Sequence, residues 1–176
     1  RWFGQQTAQR TFPLPESDGC WQTMCMFDLD PDAILPALRQ ENGVLAGSVE
    51  RVPGVVGMGE TRFRFRYDAG RGEPLAVELV WDPLIYLFTP VDLTPDSPWP
   101  TVGDAVAELG APERVMLLGD EISLHYAQHT LVTFSQHGAG PPHRLSPEDR
   151  IAGISVMRRD PAPPGGRVYL LPSSEW

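Results

Sequence analysis

The chain has 176 residues, 41% of them hydrophobic, which is one ordinary domain or two very small ones and long enough to build a core without metals or disulfide staples. All 14 basic residues are arginine, against 23 Asp plus Glu, for a net charge of −9. That balance excludes a general nucleic-acid binder, which needs a basic footprint, and docking by charge to an anionic lipid surface; no apolar run reaches the ~18 residues of a membrane-crossing helix.

The chain opens on Arg1, Trp2 and Phe3, a cation beside two aromatics, a mix common where a polypeptide leaves a membrane. The expectation is a segment upstream of Arg1 that anchors the protein, with an arbitrary boundary as the alternative. Residues 4–19 carry two prolines and no period, and are read as an extended arm or tether. Cys20 and Cys25 follow. A C-x4-C pair is too sparse for a zinc site, which wants four ligands, and lacks the spacing of a redox motif. A local disulfide is the preferred reading, with two free thiols as the alternative.

Asp30-Pro31-Asp32 opens a helix, with Asp30 as N-cap and Pro31 at the first position. Ile34, Leu35 and Leu38 give its apolar stripe and Asn42-Gly43 its stop. Pro36 removes an internal hydrogen bond, so this helix is short, kinked, or begins only at Pro36. Residues 43–59, broken by glycines and Pro53, suggest an irregular strand. Residues 61–67 alternate, with Phe63, Phe65 and Tyr67 on one face and Arg62, Arg64 and Arg66 on the other. The turn at residues 69–72 leads to Leu75, Val77, Leu79 and Trp81 on one face of a partner strand, which predicts a hairpin with its apolar faces together. Residues 84–88 make another short apolar run.

After the Pro-rich residues 91–100 the pattern restarts. Thr101 caps a helix bearing Val102, Ala105, Val106 and Leu109 on one face, Asp104 stands in its first turn, and Gly110 takes the left-handed position ahead of Pro112. Residues 114–118, 121–126, 130–135 and 151–157 read as strands. Matching Ile122, Leu124 and Tyr126 with Thr130, Val132 and Phe134 requires a three-residue loop, 127–129, with His129 at φ > 0. Residues 137–149 form a polar loop, and beyond the breaker cluster 160–166 residues 167–171 form a short edge strand or a docking peptide.

Thr101-Val-Gly-Asp-Ala-Val-Ala-Glu-Leu-Gly-Ala-Pro112, followed by a strand, Leu124-His-Tyr126 and a hairpin, resembles the helix-plus-β-meander repeat of the β-lactamase-inhibitor-protein type. Similar units occur in small lipoproteins of the bacterial outer-membrane assembly machinery. Residues 20–32 are similar to the start of uncharacterised exported, lipoprotein-like bacterial proteins, in which a Cys…Cys-aromatic segment leads into a Pro-Gly-x-Thr helix start. The match covers most of residues 20–158, and the chain departs from it at Asp32, where the family's Gly would stand, and at Pro36. The resemblance implies an extracytoplasmic fold used for protein contacts, with no catalytic residues to carry over.

Three clusters could carry chemistry. His125, His129, His137 and His143 fall close together, but no Cys completes a ligand set, and surface loop histidines are the simpler reading. Asp28-x-Asp30-x-Asp32 has the start of a calcium loop without its glycine or its final glutamate; acidic residues favouring a helix N-terminus explain the run. Arg62, Arg64 and Arg66 put three guanidiniums about 6–7 Å apart on one strand face, able to grip an acidic partner bidentately or to lie as a solvated face neutralised by Glu60 and Glu78. No nucleophile elbow, phosphate loop or dinucleotide fingerprint occurs.

The expected fold is α+β, two similar helix-plus-antiparallel-sheet units sharing one core, with extended arms at both ends. Its segments are an arm with the cysteines at 1–27, units at 28–90 and 101–160, the linker between them, and an extension at 161–176. The expected function is a non-enzymatic extracytoplasmic (periplasmic or cell-surface) binding module or accessory subunit of a membrane-associated assembly. It would have a protein partner, no cofactor and no metal, no nucleic acid, and membrane contact only through a segment upstream of Arg1. The alternatives are a metal-dependent enzyme or metal-binding protein using residues 125–143, and a binder of an acidic ligand through the Arg62/Arg64/Arg66 face.

Overall fold

The computed structural model describes residues 11–16, 18–53, 59–119, 121–126, 129–134, 145–157 and 167–169, with the backbone alone over 129–134 and 167–169. Helix α1 (Pro31–Leu38) precedes strands β1 (Glu50–Val52), β2 (Thr61–Tyr67), β3 (Leu75–Trp81) and β4 (Ile85–Val91). Helix α2 (Val102–Leu109) precedes β5 (Arg114–Leu118), β6 (Glu121–His125), β7 (His129–Phe134) and β8 (Gly153–Met157), and β9 (Arg167–Tyr169) closes the series. Among the described residues the strands form one nine-stranded sheet in the order β1-β2-β3-β4-β8-β7-β6-β5-β9. Every pairing in it is antiparallel. The fold is α+β: two helix-plus-meander units meet through their last strands, with Ile85 opposite Met157 and Phe88 opposite Ile154.

Alternation sets the hairpin of β2 and β3. Thr61 pairs with Trp81 and Tyr67 with Leu75, so Phe63, Phe65, Val77 and Leu79 all fall on the buried face. The same face carries Tyr86 and Phe88 of β4, Ile154 and Val156 of β8, and Ile122 and Leu124 of β6. Ile34 and Leu38 of α1 join this cluster, as do Val102 and Ala105 of α2. Each unit alone would leave its sheet face wet; end to end, they bury one core.

Helix α2 starts as its sequence dictates. The Thr101 hydroxyl accepts from Asp104 N–H and the Asp104 carboxylate from Thr101 N–H, a reciprocal capping box,. Gly110 has φ +82 but an extended ψ, and its N–H donates to the Val106 carbonyl. Helix α1 is short: it begins at Pro31 and contains Pro36, which cannot supply the N–H of an internal bond,. Asp30 occupies the N-cap position without a side-chain capping bond. Past the helix, Gly43 sits at φ +85 where a Cβ would stand 2.4 Å from a ring carbon of Tyr67, so only glycine fits there.

The amino-terminal arm differs from the expected tether. Phe12 and Leu14 are buried, Phe12 N–H donates to the Pro98 carbonyl at 2.7 Å, and the Phe12 ring stacks on Trp21 at 5.2 Å and lies 4.8 Å from Trp99. Phe12 packs among the rings of Trp21, Tyr67, Phe88 and Trp99, and burying an apolar side chain of this size contributes roughly 1.5–3 kcal/mol. The Pro-rich linker is likewise structural: Trp99 is fully buried and its indole N–H donates to Ile151 O.

Three boundaries and one register also differ. Strand β4 runs on through Pro90, whose position in the ladder is a non-hydrogen-bonded pair with Val77, so the missing N–H faces away from β3, beyond the end of the β8 pairing,. Strand β8 begins at Gly153 because Ile151 has already given its N–H to Pro100 O and its carbonyl to Trp99. In the β6–β7 hairpin, His125 pairs with Thr130 and Leu124 with Leu131. The face shared with Ile122 and Leu124 therefore holds positions 131 and 133, not Thr130, Val132 and Phe134. His129, expected as a left-handed loop residue, opens β7 opposite Val156. Pairing with β8 decides this, since it sets position 131 opposite the buried Ile154. The expected carboxy-terminal edge strand is present as β9, paired to β5.

Candidate functional site

The face of the sheet away from the helices is built by the other half of each alternation. Register places Val52, Arg62, Val80, Leu87 and Ser155 in one cross-strand row, which continues through position 130 to His125 and Arg114. Val52, Val80 and Leu87 are each half-buried. On the β1–β4 side this row therefore mixes three apolar side chains with Arg62, and the next row, Glu50, Arg64, Glu78 and Thr89, is polar.

The arginine ladder of β2 crosses this surface. Arg62 reaches Glu60 at 2.6 Å and Glu78 at 3.2 Å, and Arg64 reaches the other oxygen of Glu78 at 3.1 Å. Arg66 donates to the Pro74 carbonyl at 3.3 Å. The hydrogen bond that Arg62 donates to Glu60, with the charges of Glu60 and Glu78, raises the Arg62 pKa further above its already high ordinary value. Glu78 thus bridges two guanidiniums, as the sequence reading of a neutralised face expects. Arg64 keeps 55% of its side chain exposed, so its pair contributes little to stability while its charge stays accessible.

The second local feature is the cysteine hairpin. Trp21 and Met24 exchange both backbone bonds at 2.9 Å, closing a two-residue turn in which Gln22 has φ 52. The next register position outward brings Cys20 and Cys25 together with Cα atoms 4.2 Å apart, joined in a disulfide. Antiparallel strands come closest at such a non-hydrogen-bonded position. Glu41, itself buried, accepts from both N–H and hydroxyl of Thr23 at the turn tip. Asp18 accepts from Cys20 N–H at 2.9 Å, and Tyr86, fully buried beneath, donates to Gly19 O at 2.6 Å. Burial, with the nearby Asp18 charge, pushes the Tyr86 phenol well above its ordinary range.

Two of the remaining sequence candidates are the histidines and the Asp28–Asp32 run. His125 is 2% exposed in β6; His129 heads β7, its side chain lies outside the described residues, and so do His137 and His143. Asp28 ends a 3-10 turn, Asp30 precedes α1, and Asp32 pairs with Arg51 at 3.3 Å; the three do not form a ligand group. An open cleft of about 610 Å³ lies at the start of α2. Its helix N–H groups are already taken: Val102 donates to Asp149 O, Gly103 to Pro147 O and Asp104 to the Thr101 hydroxyl. Arg150 in the same cleft is spent on the carbonyls of Pro95, Ser97 and Trp99.

Among the described residues, the metal-ligand donors that converge are those of Asp18, Cys20 and Cys25, all within 4.8 Å of one another. Sequence reading missed Asp18, because residues 4–19 show no period and read as a tether; the signal was an Asp-Gly pair able to turn the chain back on the cysteine. It missed Glu41 as well, since nothing local marks a carboxylate that is to be buried against a turn. No protein family, curated protein or solved structure matches this chain.

Proposed function

We propose that the protein is a non-enzymatic binding module or accessory subunit of an extracytoplasmic, membrane-associated assembly, and that the outer face of β1–β4 receives its protein partner. The observation that carries this reading is the asymmetry of the sheet. Over β1–β4 one face is closed by the buried core, while the other presents half-buried Val52, Val80 and Leu87 with Arg62 and Arg64; over β5–β8 that outer face is itself buried at Met116, His125 and Ser155. Apolar side chains interleaved with arginine suit a protein contact, where arginine is enriched and supplies both charge and contact area. The resemblance to exported lipoprotein-like proteins and to helix-plus-meander repeats supports the same reading, and the disulfide suits an oxidising compartment,.

Co-purification from native membranes in mild detergent tests the proposal. The wild-type chain is expected to retain a partner at stoichiometric yield, and Arg64→Glu or Val80→Glu to lose it while remaining folded. Recovery only as a free monomer at every stage would overturn the subunit reading.

A further inference from the structure

The geometry points to a second state of the cysteine hairpin: with its disulfide reduced, the loop is a binding site for one soft divalent cation of the zinc class, held by Cys20, Cys25 and Asp18. C-x4-C alone offers two ligands, but the turn at Gly19 brings Asp18 in, so that its carboxylate lies within 4.8 Å of both sulfurs of the closed disulfide. Thiolates favour soft cations, and a tetrahedral zinc-class ion with three protein ligands keeps its fourth position for water or an exogenous group. The Asp18 carboxylate retains acceptor capacity beyond the one bond it takes from Cys20 N–H,.

What makes this a site is that the loop is held by bonds other than the disulfide. Trp21 and Met24 close the turn through the backbone, Glu41 grips Thr23, and Gln22 donates to the Asn42 carbonyl. Trp21 donates to the Pro13 carbonyl at 2.9 Å, and Tyr86 holds Gly19 from below. Opening the sulfur–sulfur bond removes none of these, so the three donors stay together. The step balances simply. A dithiol reductant gives two electrons and two protons to the Cys20 and Cys25 sulfurs and becomes a disulfide itself; the cation then displaces the two thiol protons. The half-exposed Cys25 and exposed Asp18 offer the approach, while Cys20 is buried.

The test uses the full chain and Cd²⁺ alone as probe, read by sulfur-to-metal charge-transfer absorption after reduction with a phosphine and removal of excess reductant. One equivalent should bind to the reduced chain and give the band, with none for the oxidised chain. Asp18→Asn should weaken binding by about tenfold or more, at least the effect expected of an outer-shell partner, and the Cys20→Ser/Cys25→Ser double variant should abolish the band. The oxidised wild type is the control that needs no variant to fold. Absence of the band in the reduced chain, loss of native near-ultraviolet circular dichroism on reduction, or an unchanged affinity in Asp18→Asn would each overturn the assignment.

Discussion

The phenol of Tyr86 donates to the carbonyl oxygen of Gly19 at 2.6 Å, across 67 residues of chain. It ties a central strand of the sheet to the residue just before the disulfide, with both partners buried. Tyr86→Phe keeps the ring and leaves a buried carbonyl without its donor. Such a loss costs about 1–3 kcal/mol, and urea unfolding should show a lower midpoint with an unchanged slope.

The same burial predicts an alkaline limit. Burial pushes the Tyr126 phenol from 10.0 up to about 12, and Tyr86 is raised further. Above pH 10 the unfolded chain has released these protons while the folded chain still holds them, so stability falls as pH rises. The contribution is complete below pH 10, declines between 10 and about 12 for Tyr126, and goes on declining for Tyr86. Each group steepens the fall by up to about 1.4 kcal/mol per pH unit. Thermal unfolding between pH 9 and 12 should show a shallower decline in Tyr126→Phe.

Gly43→Ala should be among the most damaging single substitutions in the chain. It combines a positive φ with a Cβ 2.4 Å from the Tyr67 ring, and Tyr67 is packed against Phe12, so the ring cannot retreat freely. A loss of at least about 2 kcal/mol is expected, measured by chemical denaturation.

Thr101→Ala removes one half of the α2 capping box, and Asp104→Asn weakens the other. The expected cost of the first is about 1 kcal/mol. The Asp104 change should cost less, and hydrogen exchange should localise both effects to the first turn of α2.

Reduction of Cys20–Cys25 should lower stability by about 2 kcal/mol, because so short a loop constrains the unfolded chain only modestly. The folded spectrum should survive reduction, and only the denaturation midpoint should move.

Much of this fold was legible because both sides of a pattern agreed. In residues 61–67 apolar and polar positions alternate without a break, and in residues 75–81 the large apolar side chains Leu75, Val77, Leu79 and Trp81 recur at every second position, so the faces and the Glu78–arginine pairing follow from one period. Thr101 and Asp104 mark α2 by their chemistry. The β6–β7 register was not legible: Leu131 and Val132 are both apolar, period two is ambiguous there, and the pairing with β8 resolves it. Phe12 and Leu14 were hidden for a related reason, since two apolar residues among prolines make no period and their burial depends on tertiary packing. The ladder of Arg62, Arg64 and Arg66 could be read from spacing, whereas Asp18 joins the cysteines only through a turn.

The order of strands has a consequence for how the protein is made. Strand β4 ends the first unit, yet its open side is filled by β8, the last strand of the second. As the polypeptide is synthesised, Ile85–Val91 must wait with unpaired backbone groups while α2, β5, β6 and β7 emerge. An apolar edge left open that long is a template for wrong pairing. Pro90, which offers no N–H along that open side, shortens the stretch on which a foreign strand could seed, so one proline serves the nascent chain as well as the finished sheet.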